Sequence, residues 1–197
     1  MTKRRGSHSE YEKIFEQIIR ASDIPYIAIN EAKRAIVKGK KIKSLDFIVA
    51  SKRGVYLLDI KGKTFPYGWP KRSISSRDYW ENWVHKDDLE GMELWTKLFE
   101  SKKVQSLLVF IYKIVKSDEL EKFIDYLSVN NTYYGFVAIS TFDYRKHWKP
   151  RSTAPGFIAM YVSKSKFPDF VSPLSSFLPE TTRILKVNHA FRIVKDI

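Results

Sequence analysis

Residues 45–61 read Leu45-Asp46-Phe47-Ile48-Val49-Ala50-Ser51-Lys52-Arg53-Gly54-Val55-Tyr56-Leu57-Leu58-Asp59-Ile60-Lys61. Two runs rich in Val, Ile, Leu, Phe and Tyr flank Ser51-Lys52-Arg53-Gly54. The runs are predicted to be the strands of a β-hairpin, over 45–50 and 55–60, with a turn between them. With Lys52-Arg53 as a two-residue turn, cross-strand partners have positions that sum to 105, which sets Asp46 opposite Asp59. Directly opposed residues have Cβ atoms about 4.5–5.5 Å apart. Lys61 lies two residues past Asp59 and so shares its face of the sheet.

Two opposed carboxylates on paired strands repel unless something offsets them. A divalent cation does so, and Mg²⁺ prefers carboxylates, water and phosphate oxygens. A lysine beside the ion can hold or polarise an attacking water, or steady charge developing at phosphorus. Asp46, Asp59 and Lys61 therefore make sense as a Mg²⁺- or Mn²⁺-dependent phosphodiester hydrolysis site. The competing reading is a solvent-facing hairpin in which Lys61 neutralises Asp59. The apolar strand from Gly54 to Lys63 ends in charged residues, which suits a site at the edge of a sheet.

Upstream, residues 9–21 are predicted to be a helix, with Ser9 as its cap and Glu12 three residues on. Tyr11, Ile14, Phe15, Ile18 and Ile19 recur at helical spacing. Glu10 is four residues before Ile14 and eight before Ile18, which puts a third carboxylate on the apolar stripe. Completing a metal site would explain it; dipole compensation in the first turn is the alternative. Glu12 reads as the capping-box acid.

Downstream, 26–29 is predicted to be a short strand, 88–100 an amphipathic helix and 106–112 a buried strand. A helix is predicted over 118–127, strands over 134–140 and 157–162, and one more strand over 182–187. Residues 64–77, 143–155 and 167–179, with their Pro, Gly and Ser, read as loops. Helices alternating with strands predict an α/β fold, a mixed central β-sheet flanked by helices.

The chain has 197 residues, enough for one domain with a sizeable core. It has no Cys, which excludes a disulfide framework, Cys-ligated zinc, an iron–sulfur cluster and thiol catalysis. Formal net charge is +13, with 17 basic against 7 acidic side chains in 1–75, 8 against 11 in 76–131 and 10 against 4 in 132–197. Two basic ends around a slightly acidic middle suit a polyanion. No apolar run reaches the roughly 20 residues of a membrane span. The basic N-terminus has no apolar segment behind it, so a cytoplasmic protein is expected.

These residues resemble the PD-(D/E)XK nuclease superfamily, the restriction-endonuclease-like fold. Its core is a helix, three strands in a hairpin-like meander, a helix and a further strand, an order this sequence follows over roughly 6–140. Gly6-Ser7-His8-Ser9-Glu10 is similar to the opening of archaeal Holliday-junction resolvases, Gly-Ser-x-x-Glu. The resemblance implies Glu10 as the helix acid, Asp46 as the first-half Asp and Asp59-Ile60-Lys61 as the (D/E)-x-K. It implies a Mg²⁺- or Mn²⁺-dependent DNA endonuclease and a homodimer. Leu45 stands where the motif has Pro, and Asp59 where the resolvases usually have Glu. Relative to a compact resolvase, 64–105 reads as an insertion within a single domain and the C-terminal region as an extension.

Lys63, Tyr67, Trp69, Lys71 and Arg72 interleave basic and aromatic side chains just past the site, a mix that suits phosphate contact and base stacking. Residues 143–151 form a second such stretch. RNA fits as well as DNA, because nothing here reads the 2′-hydroxyl. Asp87, Asp88 and Glu90 cluster at a helix start, where the dipole accounts for them. Trp80, Trp83 and Trp95 are expected in the core. His8, His85, His147 and His189 lack zinc spacing. An inactive nucleic-acid-binding module of the same fold and a basic interaction protein are the rival readings.

Overall fold

The hairpin forms with the register its turn dictates. Phe47 pairs with Leu58, and Ser51 with Gly54 across Lys52-Arg53. The computed structural model describes residues 9–29, 36–37, 40–41, 43–66, 80–99, 101, 103–154 and 157–187. In chain order come α1 (Glu10–Ala21), β1 (Tyr26–Ala28), β2 (Ile36–Val37), β3 (Lys40–Lys41), β4 (Phe47–Ser51) and β5 (Gly54–Phe65). Then follow β6 (Val84–His85), α2 (Lys86–Leu98), β7 (Val104–Ile114), β8 (Asp125–Val129) and β9 (Thr132–Ser140). The remainder holds α3 (Thr141–His147), β10 (Lys149–Ala154), β11 (Phe157–Tyr161), α4 (Phe167–Phe170), β12 (Ser172–Pro173) and β13 (Lys186–Val187).

The central sheet runs β1-β4-β5-β7-β9-β8-β13, with β12 beside β9. β5 and β7 are parallel, and the other pairs of this sheet are antiparallel. The fold is thus α/β, a mixed central sheet with helices on its faces, as the sequence predicts. Alternation along β5 separates two cores. Tyr56, Leu58 and Ile60 pack with Ile14, Phe15, Ile18 and Ile19 of α1. Phe65 packs on the opposite face with Leu89 and Met92 of α2 and with Leu108, Phe110 and Tyr112 of β7. Buried on both faces, β7 is apolar almost throughout, from Leu107 to Tyr112. α1 starts where its capping box places it: Ser9 Oγ accepts the Glu12 N–H at 3.3 Å and donates to Glu12 Oε1 at 2.6 Å.

The helix predicted over 118–127 is replaced by a 3-10 turn, Ser117–Lys122, and the strand β8. Asn130 and Asn131, at φ of 48° and 59°, make the left-handed two-residue turn that folds β8 back on β9. The fully buried Asp125 accepts from the N–H and Oγ of Ser175 at 2.6 and 2.9 Å, which holds the strand in place. The loop predicted over 143–155 instead carries α3, capped by Ser140 on the Asp143 N–H, and β10, paired with β11. The loop predicted over 167–179 holds α4, β12 and a 3-10 turn. The strand predicted over 182–187 is cut to β13 because a 3-10 turn, Pro179–Arg183, occupies its start.

Gly135 of β9 lies under the ring of Phe123, where an added Cβ would stand 2.1 Å from Cδ1. Phe123 is fully buried among Phe65, Trp80 and Tyr112, so its ring has no cheap retreat. Gly135→Ala is expected to destabilise the protein by about 1–3 kcal/mol. Urea unfolding checks this, as a lowered midpoint at constant m-value. A midpoint equal to that of the parent protein would refute it.

Candidate active site

Alternation places Asp59, Lys61, Lys63 and Phe65 on the face of β5 that α2 covers. Asp46 stands one residue before the paired part of β4. Its N–H donates to the Leu58 carbonyl at 2.9 Å, and its Oδ2 accepts the Ile60 N–H at 2.6 Å. Asp46 is therefore folded against the end of the hairpin rather than laid out in the ladder. Both aspartates are buried, at 4% and 6% exposure. Burial pushes the Asp46 carboxyl well above the usual carboxylate range; the charge of Asp59 adds to this and the Ile60 N–H offsets part of it. Glu12 contributes to the same negative field. Burial likewise raises Asp59, against the pull of Lys61 and with a further push from Asp88.

Lys61 Nζ lies 2.7 Å from Asp59 Oδ2 and donates to Asp88 Oδ2 at 2.5 Å. Burial alone would depress the ammonium, but Asp59 and Asp88 outweigh it and hold Lys61 above the ordinary lysine range. Asp88 also accepts from Lys43 Nζ. Burial would raise its carboxyl, yet Lys61 and Lys43 hold it below the usual range. The approach of α2 makes this contact. Gly91 sits where a Cβ would meet the Lys43 carbonyl at 3.1 Å, and Trp95 Nε1 donates to that carbonyl at 3.1 Å. Asp59 Oδ2 is buried, with the Lys61 ammonium 2.7 Å away, and that ammonium also donates to Asp88.

Glu10 is not brought to the aspartates. α1 covers the other face of the sheet, and the Glu10 carboxylate accepts from Tyr134 Oη at 2.6 Å and lies 3.8 Å from Lys113 Nζ. Lys63, expected to face nucleic acid, is buried. Its ammonium sits 3.9 Å above the Trp83 ring and 4.0 Å from Glu81 Oε1. Burial lowers it to about 8, although Glu81 pulls the other way. Trp83 is thus a 40%-exposed cover rather than core, while Trp80 is buried as expected. Tyr67, Trp69, Lys71, Arg72, His8 and His189 lie outside the described residues. In the second basic stretch, Arg145 pairs with Glu93 and Lys146 lies 2.8 Å from Asp143. His85 caps α2, and His147 stacks on Phe170.

Asp88 is the site residue that a dipole argument overlooks. Its signal is in the sequence: Asp88, Met92 and Trp95 recur at i, i+4 and i+7. That is an acid on an apolar stripe, the same pattern that singles out Glu10.

Among the described residues, no group of three or more His, Cys, Asp or Glu gathers to hold a metal. An all-protein cage of the zinc type is not formed by them. A hard cation that takes one or two carboxylates and completes its shell with water and phosphate does fit. Two buried carboxylates lie there, and the charge of Asp59 raises Asp46.

No protein-family model matches the chain, and no curated protein matches it. Among solved structures, Hjc of Archaeoglobus fulgidus, a Holliday junction resolvase from an archaeal hyperthermophile, is similar to it. The likeness covers 86% of this chain and 98% of that one, at a TM-score of 0.47 and 8% sequence identity. Among the described residues, no helix is long and apolar enough to cross a membrane.

Proposed function

We propose that the chain is a Mg²⁺- or Mn²⁺-dependent DNA endonuclease on a restriction-endonuclease-like core. The observation that carries this reading is the buried Asp46–Asp59 pair at the end of a hairpin, with Lys61 beside it. The order α1, the antiparallel meander β1-β4-β5, α2, then β7 supports the core assignment. The net charge of +13 supports a polyanionic substrate.

Asp46 and Asp59 would hold the cation. When bound, it would polarise the scissile phosphodiester and ease loss of a proton from a water molecule. Asp46 is fixed for that task by the Ile60 N–H. Lys61 keeps its proton at Nζ between two carboxylates, so its part is to donate to phosphate oxygens as negative charge grows on them, not to take up a proton. Leu45 and Leu57, both fully buried, pack together with Val104 in a small apolar cluster on the hairpin. Glu10 serves in this reading as the acceptor for Tyr134.

The test is calorimetric titration of Mn²⁺ into the parent protein and Asp59→Ala without nucleic acid, followed by incubation with linear, branched and supercoiled DNA. The parent protein is expected to bind Mn²⁺ and to cut at least one DNA form in a chelator-sensitive way, and Asp59→Ala to do neither. Intact DNA of all three forms under the parent protein with Mn²⁺ would overturn the reading.

A further inference from the structure

Asp88 lies outside the hairpin pair, on a different element, yet it is as buried as they are, at 5% exposure. Its neighbour Asp87 has a side chain 69% exposed and suffices for the helix dipole. A second acid at the start of α2 has no need to be buried for that purpose. It points instead at Lys61, and the two meet at 2.5 Å. The consequence falls on Asp59. A lysine two residues along the same face would otherwise direct its hydrogen bond to that carboxylate. Here the ammonium is shared instead, 2.7 Å from Asp59 Oδ2 and 2.5 Å from Asp88 Oδ2.

We infer that Asp88 is a positioning residue that shares the Lys61 ammonium with Asp59, so that Lys61 does not close wholly on Asp59, a cation can compete for that carboxylate, and Lys61 faces the phosphate. The inference rests on the nuclease reading and extends it to a residue outside the (D/E)-x-K pattern. An ammonium has three N–H donors. One is committed to Asp88 and one faces Asp59, and the 15% exposure of the Lys61 side chain leaves an opening through which the third reaches substrate. Lys43, part-exposed and paired with the other oxygen of Asp88, balances its charge and adds a weaker pull on Asp59.

Asp88→Asn weakens the draw on Lys61, which then turns onto Asp59 Oδ2 and competes with the cation. Mn²⁺ affinity in the DNA-free titration is expected to fall about tenfold, and kcat for DNA about a hundredfold, with KM for DNA unchanged. A purely structural role would lower the melting temperature and leave Mn²⁺ affinity per folded molecule where it was. Asp88→Glu keeps the charge but moves it by one methylene. It is expected to bind Mn²⁺ as the parent protein does and to lose about tenfold in kcat, and it decides the matter if Asp88→Asn is unfolded by circular dichroism. Unchanged Mn²⁺ affinity in folded Asp88→Asn, or parental kcat in Asp88→Glu, overturns the inference and leaves the nuclease reading standing. A parent protein that neither binds Mn²⁺ nor cuts DNA overturns that reading, and the inference with it.

Discussion

Asp46→Asn is expected to lower DNA cleavage about a thousandfold while making the folded protein more stable. On the proposed function, the loss follows from removing one of the two carboxylates that would hold the cation, since a bound metal supplies several kcal/mol of transition-state stabilisation and about 1.4 kcal/mol is worth tenfold. The gain follows from the same residue's surroundings. Asp46 is buried against Asp59 and within the field of Glu12, so its charged form is disfavoured in the folded state. Asn removes that charge and keeps an oxygen to accept the Ile60 N–H. Relief of this kind at functional sites is typically worth about 0.5–2 kcal/mol. The pH dependence has a definite sign. The folded carboxyl titrates above its unfolded value, so the folded state binds the proton more readily. The parent protein therefore loses stability as pH climbs from about 4 through the folded value. The advantage of Asn should open over that range and vanish below it. Thermal melts at pH 3.5 and 7 would show it, and a variant less stable than the parent protein at pH 7 would refute the electrostatic account.

Lys61→Met should move stability the other way, by about 3–5 kcal/mol, because removing one partner strands buried charge. Asp59 loses the cation beside it, and Asp88 keeps only Lys43. Against a total stability of typically 5–15 kcal/mol, that is a large share. Chemical denaturation measures it directly. Added Mn²⁺ is expected to restore part of the loss by binding the folded state. A loss below about 1 kcal/mol would mean that the aspartates take up protons instead of remaining charged. The two substitutions thus separate the proposed roles: Asp46 would cost stability and serve chemistry, and Lys61 would serve both.

The hairpin was legible in sequence because its turn leaves one register. Lys52-Arg53 fixes the pairing, and the apolar alternation of 55–60 assigns the faces. α1 was legible from its stripe and cap, and α2 from its stripe, although α2 starts at Lys86 under a His85 cap rather than at 88. β8 was not, since Asp118–Leu127 has helical composition, and what makes it a strand lies elsewhere: two left-handed asparagines and Ser175, fifty positions away. In the site, Asp46, Asp59 and Lys61 are close because sequence spacing makes them so. The role of Asp88 depends on how α2 crosses the sheet, with Gly91 against Lys43, a tertiary fact that no local pattern contains. Glu10 shows the converse. A carboxylate on an apolar stripe is a sound signal of an inward partner, but here the partner is Tyr134.

The parallel pairing of β5 with β7 also bears on how the chain finds its structure. Every rung of that ladder, from Val55 with Val104 to Phe65 with Ile114, joins residues 49 positions apart. Loop-closure entropy must be met before any rung rewards it. The β4–β5 hairpin can form early and alone, within microseconds for an isolated hairpin. The centre of the sheet cannot, and α2 packs on β7 as well as on β5, so its docking is complete only when β7 arrives. Asp88 therefore reaches Lys61 only once this slow step is complete, so the carboxylates on the hairpin are assembled before the residue that sets their lysine. The protein acquires its apolar scaffold and its reactive geometry in sequence, and the second is the later event.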